Sequence, residues 1–216
     1  NPTGPLHVGH GRGAVFGSVL SRLLKEAGFQ VDEEYYVNDF GRQMNILSAS
    51  LWIRYAQIFD KNIKMLNNGY QGDYLIAIAQ NLKKFRADEL YEDDEEIKSL
   101  LENENEDAEK HTDQVIDSIK SKLSDEFSYV RDFALREILE LIKEDLSEFG
   151  VDHNHWFSES KLYKSEPYDL SKVDQSIEEL SSKGFVYEKE GAIWFKSSEL
   201  GDDKDRVLKR SNGEFT

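Results

Sequence analysis

At 216 residues the chain is long enough for one or two domains and a sizeable core. It has no cysteine, which excludes a disulfide framework and thiolate metal sites. No apolar run is long enough to cross a membrane, so a soluble cytoplasmic protein is expected. The net charge of −16 suits a polyanionic partner poorly. Between Asp88 and Glu109, however, twelve carboxylates face one lysine, Lys98, so most of the excess is local and reads as a solvated face.

The first thirteen residues, Asn1-Pro-Thr-Gly-Pro-Leu-His-Val-Gly-His-Gly-Arg-Gly13, place two prolines before two histidines and gather three glycines at a helix start. Val15, Val19 and Leu23, with Phe16, Leu20 and Leu24, repeat at spacing four and predict a helix from about Gly9 to Ala27 with one apolar face, stopped by Gly28. The amino end of such a helix carries unpaired N–H groups and a partial positive charge, which suit a phosphate. His7 and His10 add two imidazole donors there, and Gly9, Gly11 and Gly13 let a ligand approach the backbone. No Gly-Lys-Ser/Thr follows, so this is not a Walker loop. Gly9-His-Gly11-Arg-Gly13-Ala14, with Asp32, Glu33 and Glu34 about twenty residues on, formally fits a dinucleotide fingerprint. The prolines and histidines would have no task in it, and no apolar strand precedes the glycines.

Pro5-Leu-His-Val-Gly-His10 resembles the HIGH motif of class I aminoacyl-tRNA synthetases, with valine for isoleucine, and the run from Asn1 to Gly17 resembles its arginyl-tRNA synthetase form. The resemblance implies that His7 and His10 are catalytic and serve ATP and the transition state. It places Gly9, Gly11 and Gly13 with His7 and His10 in the ATP site, Gly9 where adenine needs room, and Asn1 and His10 beside L-arginine. Ser18 departs from the aspartate of many relatives, two turns down the helix.

Phe29–Val37, rich in aromatic and β-branched residues, predicts a strand. The Asn38-Asp39-Phe40-Gly41-Arg42-Gln43 block after it resembles a V-N-D-x-G-x-Q phrase of the same family. Asn38 and Asp39 either cap the next helix or, with Gln43, face substrate. From Met44 to Phe149 helical stripes follow. One carries Leu47, Leu51, Trp52, Tyr55, Ile58 and Phe59, and a second opens at Tyr70-Gln-Gly-Asp-Tyr74 and carries Leu75, Ile78, Leu82 and Phe85. A third, short, carries Val115, Ile116, Ile119 and Leu123, and a long one runs from Phe127 to Phe149. The fold of about 88–125 stays open at this level. His153 and His155, at spacing two, sit on one face if extended, but with no third ligand nearby a structural role is expected and no metal site.

Ser171-Lys-Val-Asp174 is a capping-box-like start for a helix ending at Gly184. Phe185–Tyr187 and Ala192–Phe195 flank a hairpin turn at Gly191. The Tyr-x-Gly-x-Tyr, Gly-Ala-x-Trp and Gly-Asp-Asp-Lys-Asp-Arg-Val-Leu phrases also resemble arginyl-tRNA synthetases and occur in the family's order.

The resemblance implies an α/β fold, part of a Rossmann-like class I catalytic domain interrupted by a large, mainly helical insertion with small β-hairpins. Residues 1–45 would be its first half, 46–204 the insertion and 205–216 the start of the return. It implies ATP with Mg²⁺ as a substrate complex, L-arginine and tRNA(Arg) as partners, no membrane, and a monomer. The alternatives are a non-catalytic synthetase-like binding paralogue or another class I specificity. The chain begins at Asn1 and stops in a strand-like run, so it reads as a piece of a larger protein without the KMSKS-like loop and anticodon domain. Residues 1–216 alone are therefore expected to give no arginine-dependent ATP–pyrophosphate exchange. Robust exchange by the purified piece, with tRNA present, would show that essential chemistry has been misplaced.

Overall fold

The computed structural model describes residues 2–103, 107–164 and 170–216, which form two compact units divided between Phe157 and Ser158. The architecture is mixed α/β and mainly helical, with two small sheets. Among the described residues no helix is long and apolar enough to cross a membrane.

The first unit contains α1 (Val8–Glu26), β1 (Glu34–Val37), α2 (Arg42–Ala56), α3 (Tyr74–Arg86), α4 (Glu95–Glu102), α5 (Ala108–Leu123), α6 (Glu126–Glu148) and β2 (His155–Ser158), with β1 paired to β2. Its core is built around α2, all but four of whose fifteen residues are buried. A helix buried on nearly every side must satisfy its polar side chains locally. Ser50 Oγ accordingly donates to the Ile46 carbonyl at 2.7 Å, Trp52 Nε1 to the Leu90 carbonyl at 2.9 Å and Tyr55 Oη to the Ala87 carbonyl at 2.9 Å. Leu75, Ile78 and Leu82 of α3, Ile119 of α5 and Phe133 and Ile138 of α6 close the core.

The predicted stripes from Leu47 to Phe149 are helical, with three differences of detail. α2 ends at Ala56, so Ile58 and Phe59 pack from the turn after it. α3 begins at Tyr74 rather than Tyr70. Phe85, Leu141 and Phe149 point outward, while Leu146 is buried in their stead. Within the stretch left open, α4 is a two-turn helix whose buried residues are Ile97 and Leu101. Three apolar residues among so many carboxylates are too weak a periodic signal to announce it.

Among its described residues the acidic run is mostly exposed, as its composition predicts, and it is also paired. Lys98 meets Asp60 at 3.0 Å and Glu95 at 3.2 Å and also contacts Asp93; Lys122 meets Asp94 at 3.1 Å; Arg42 meets Glu109 at 2.6 Å and Asp113 at 2.8 Å. Asp94 and Asp107 cap α4 and α5, each accepting two backbone N–H groups. The run thus includes helix-start residues with separate jobs from the carboxylates between them.

α1 ends as predicted. Gly28 is left-handed, its N–H bonds the Lys25 carbonyl at 3.0 Å, and the Phe29 N–H reaches the Leu24 carbonyl at 3.0 Å, a Schellman closure. The apolar face of α1 is another matter. Phe16 is 70% and Leu23 63% exposed, and the one buried residue of the helix is Ser21. Polar ties hold the helix instead: Arg22 donates to the Gly150 carbonyl at 2.8 Å, and Lys25 meets Glu33 at 2.6 Å. The strand expected over Phe29–Val37 shortens to Glu34–Val37, and Phe29 is exposed.

In the second unit, Ser171 caps α7 (Lys172–Ser182), its Oγ accepting the Asp174 N–H at 3.1 Å as the capping-box pattern predicts. β3 (Val186–Lys189) and β4 (Ala192–Phe195) form an antiparallel hairpin around Glu190 and Gly191, both at positive φ. β5 (Arg206–Lys209) pairs antiparallel with β4. The Gly-Asp-Asp-Lys-Asp-Arg phrase ties this unit to itself. Arg206 donates to Asp202 and Asp203 at 2.7 Å each, and Asp205 accepts from Tyr187 Oη at 2.9 Å and from the Ser198 N–H at 3.1 Å.

Denaturant melts should separate capping carboxylates from merely exposed ones. Asp94→Ala removes the α4 cap and is expected to cost about 0.5–2 kcal/mol. Glu95→Gln should stay within about 0.5 kcal/mol, because its carboxylate is almost fully exposed. Equal losses at the two positions would mean that capping is not what distinguishes Asp94.

Candidate active site

His7 is the N-cap of α1 in extended conformation, φ −134° and ψ 171°. Its Nδ1 accepts the Gly9 N–H at 3.2 Å, and His10 Nδ1 accepts the His7 N–H at 3.1 Å, a reciprocal capping box made of two histidines. The rings stack, centroids 3.7 Å apart and planes 28° from parallel. A ring nitrogen that accepts from a backbone N–H carries no proton, so both imidazoles are neutral with the hydrogen on Nε2. The helix start therefore offers two adjacent Nε2–H donors, on exposed side chains.

This refines the sequence expectation. Two amides at the helix end are turned onto the histidines rather than left for a ligand, and the donors on offer are the imidazoles. Gly9 has a local reason to be glycine, since a Cβ there would lie 3.0 Å from the His7 ring. Gly11 faces Phe149 at ordinary contact distance, and a Cβ on Gly13 would meet nothing within 4 Å. Asn1 lies outside the described residues.

Stacking has an electrostatic consequence. The pKa of His10 lies below its ordinary value, first because the charged form loses hydration and second because it would face His7. Beside the histidines, a groove of about 970 Å³ runs along α1 and is lined on its far side by Val31–Tyr35, Leu146 and Phe149.

The Asn38–Gln43 block follows β1. Neither Asn38 nor Asp39 caps α2: the N-cap is Gly41, at φ 88°, without a side-chain cap bond, and the Asp39 N–H bonds back to the Val37 carbonyl at 3.0 Å. The capping alternative is thus overturned, because the turn at Gly41 sets the helix start three residues beyond Asn38. Gln43 accepts a hydrogen bond from the Tyr70 hydroxyl. Tyr74 donates to the Thr3 carbonyl at 2.5 Å. The approach to His7 and the block opening α2 are therefore both held by tyrosines next to α3. Sequence reading noted the Tyr-x-Gly-x-Tyr phrase but gave it no role.

His153 and His155 do not share neighbours. The His153 ring lies edge-on to Tyr35 and Trp156, at 5.4 and 5.9 Å, whereas His155 sits 3.7 Å from Asp32. Among the described residues no three histidine or acidic side chains form a metal-ligand cluster.

The whole chain, residues 1–216, matches the family described as tRNA synthetases class I (R), catalytic domain. Among curated proteins it is 48% identical to the arginine–tRNA ligase of Hydrogenovibrio crunogenus, over 99% of the chain and 37% of that protein. With the arginine–tRNA ligase of Coxiella burnetii the identity is 46%, over 99% of the chain and 36% of that protein. A Campylobacter jejuni crystal structure described as an arginyl-tRNA synthetase superposes with a TM-score of 0.77 at 30% identity, covering 100% of this chain and 40% of that one. The helix that opens on a capped histidine pair thus lies in a class I tRNA synthetase catalytic region, and the chain belongs to the arginyl family of that class. It spans just over a third of the length of the curated relatives.

The histidine cap carries a pH signature. Because the folded-state pKa of His10 is lowered, the cap is fully present above the ordinary histidine pKa, about 6.5, and is lost as pH falls through the lower folded value. An NMR titration should find His10 protonating at lower pH than histidine in an unstructured peptide. The His7 amide, which bonds His10 Nδ1, should lose protection in that same window once corrected for intrinsic exchange. A His10 midpoint at or above the peptide value would contradict the stacked, accepting geometry.

Proposed function

We propose that the full-length protein is an arginine–tRNA ligase. In the first step an oxygen of the arginine carboxylate attacks the α-phosphorus of ATP, supplied as its Mg²⁺ complex, and pyrophosphate leaves. In the second, a hydroxyl of the terminal adenosine of tRNA(Arg) attacks the adenylate carbonyl and AMP leaves. The observation that carries this reading is the neutral, stacked His7–His10 pair in a chain of the arginyl family. Two preorganised Nε2–H donors suit oxygens on which negative charge grows toward the transition state, so the contribution is electrostatic and positional rather than covalent. Being neutral, the two imidazoles stack without like-charge repulsion while each keeps an Nε2–H to donate.

On this reading Asn1 and His10 stand beside the arginine, and Gly9, Gly11 and Gly13 belong to the ATP site. Asn38, Asp39 and Gln43 form the neighbouring wall. Residues 1–45 open the Rossmann-like domain, 46–204 form the insertion, and 205–216 begin the return. The exposed apolar stripe of α1, with the groove beside it, supports a domain that the remaining two-thirds of the protein completes.

Pre-steady-state adenylate formation in the full-length protein, with ATP and arginine varied separately, tests the assignment. By analogy with removing one oxyanion-hole donor, His7→Ala should lower the rate at saturation by about 10²–10³, with ATP affinity little changed. His7→Asn, which can still donate, should be milder. An unchanged saturating rate with weakened ATP binding would make His7 a ground-state binder. Wild-type protein with no arginine-dependent adenylation would mark a binding paralogue, and a response to another amino acid would mark another specificity.

A further inference from the structure

The stretch before α3 is more tightly fixed than a connecting loop needs to be. The Tyr70 N–H donates to Ser50 Oγ of α2 at 2.9 Å, and Arg54 donates to the Gln71 carbonyl at 2.7 Å. The Gln71 amide donates to the Leu66 and Asn67 carbonyls at 3.2 and 3.0 Å. The tyrosines leave this platform in two directions, Tyr70 to Gln43 and Tyr74 to Thr3.

Tyr74 does more than bond one carbonyl. Its ring folds back over Gly72, where an added Cβ would sit 2.4 Å from the ring, and lies against Gly4, where one would sit 3.3 Å away. Glycine at Gly72 is thus a condition for the ring's placement, whereas at Gly4 a Cβ would crowd the ring without excluding it. Thr3 and Gly4 lie just ahead of Pro5, whose fixed φ limits how far a shift at Thr3 can be absorbed before His7. Burial pushes the Tyr74 hydroxyl up to about 12, so it remains a donor across the working pH range.

We propose that Tyr74 is a positioning residue for the histidine pair: its ring, seated over Gly72 and against Gly4, and its bond to the Thr3 carbonyl fix the leader that delivers His7 to the start of α1. The proposal rests on the adenylating function inferred above, and it makes Tyr-x-Gly-x-Tyr a brace rather than a substrate contact. A tyrosine that only fills the core would affect folding without acting selectively on the histidines.

The test uses Tyr74→Phe, which keeps the ring and loses the hydroxyl, and Gly72→Ala, which keeps the hydroxyl and drives the ring away, each in the full-length protein. Tyr74→Phe is expected to slow adenylate formation at saturating substrates by about three- to tenfold, the range for losing one hydrogen bond, with little change in ATP or arginine affinity. Gly72→Ala should slow it at least as much. In the substrate-free protein, modification by diethyl pyrocarbonate, read by mass spectrometry, should quicken at His7 and His10 in both variants, because a loosened leader frees their Nδ1 atoms. Wild-type rates and wild-type histidine reactivity in both variants would overturn the proposal. So would a rate loss matched by an equal loss of folded protein. If the wild type makes no adenylate, the adenylation reading fails by itself. The histidine reactivities then decide alone: faster modification upholds the brace, and unchanged modification overturns it.

Discussion

Burying α2 on almost every side is the constraint from which the first unit follows. Such a helix cannot present polar groups to water, so its larger polar side chains reach partners in neighbouring segments, while Ser48 Oγ is buried without one. Ser50 fixes the Tyr70 stretch, while Trp52 and Tyr55 fix the turn after α3. Arg86, at the end of α3, extends the order outward by a two-pronged bond to Glu126 at 2.8 and 2.9 Å and by stacking 4.6 Å over Tyr129. Because α2 begins within the Asn38–Gln43 block, the core helix is joined without a linker to residues proposed to line the site.

The same constraint separates what was legible in the sequence from what was not. Helices with several buried apolar positions, such as α2, α3 and α6, announce themselves by periodicity, and Gly28, Gly150 and Gly184 announce stops. The histidine motif marked the family once the phrases downstream of it, in the family's order, were added. The capping box was not legible, because histidine is outside the usual cap residues and its acceptor role depends on the ring's tautomer. The packing of α1 could not be read either. Spacing says which residues share a face, but not what covers that face, and here Val15, Phe16, Val19, Leu20 and Leu23 remain exposed.

Charge was legible in amount but not in use. The acidic run holds most of the net charge, yet Asp94 and Asp107 neutralise helix starts, and Arg42 spends its guanidinium on Glu109 and Asp113. Arg42 stands inside the block that resembles a substrate-facing phrase, but its ion pairs direct it to the start of α5 instead. Two ion pairs on a half-exposed arginine give orientation more than stability, since solvent screens them. Composition cannot show this, because a carboxylate reads the same whether it caps, pairs or only solvates.

Glycine carries the final point. In the histidine motif its customary reading is room for a ligand, and at Gly13 the structure leaves that space open. At Gly9 and Gly72 the space is already filled by rings of the protein itself, His7 in one case and Tyr74 in the other. Each ring is then fixed by a bond to nearby backbone: His7 accepts from Gly9, and Tyr74 donates to Thr3. A small residue beside a ring allows the ring one close seat, and the hydrogen bond makes that seat preferred over other rotamers. Preorganised donors require that kind of restraint, because a donor free to rotate must be ordered again in each catalytic cycle. At Gly9 and Gly72, then, glycine seats an aromatic ring of the chain itself, in one case a histidine proposed to do the chemistry.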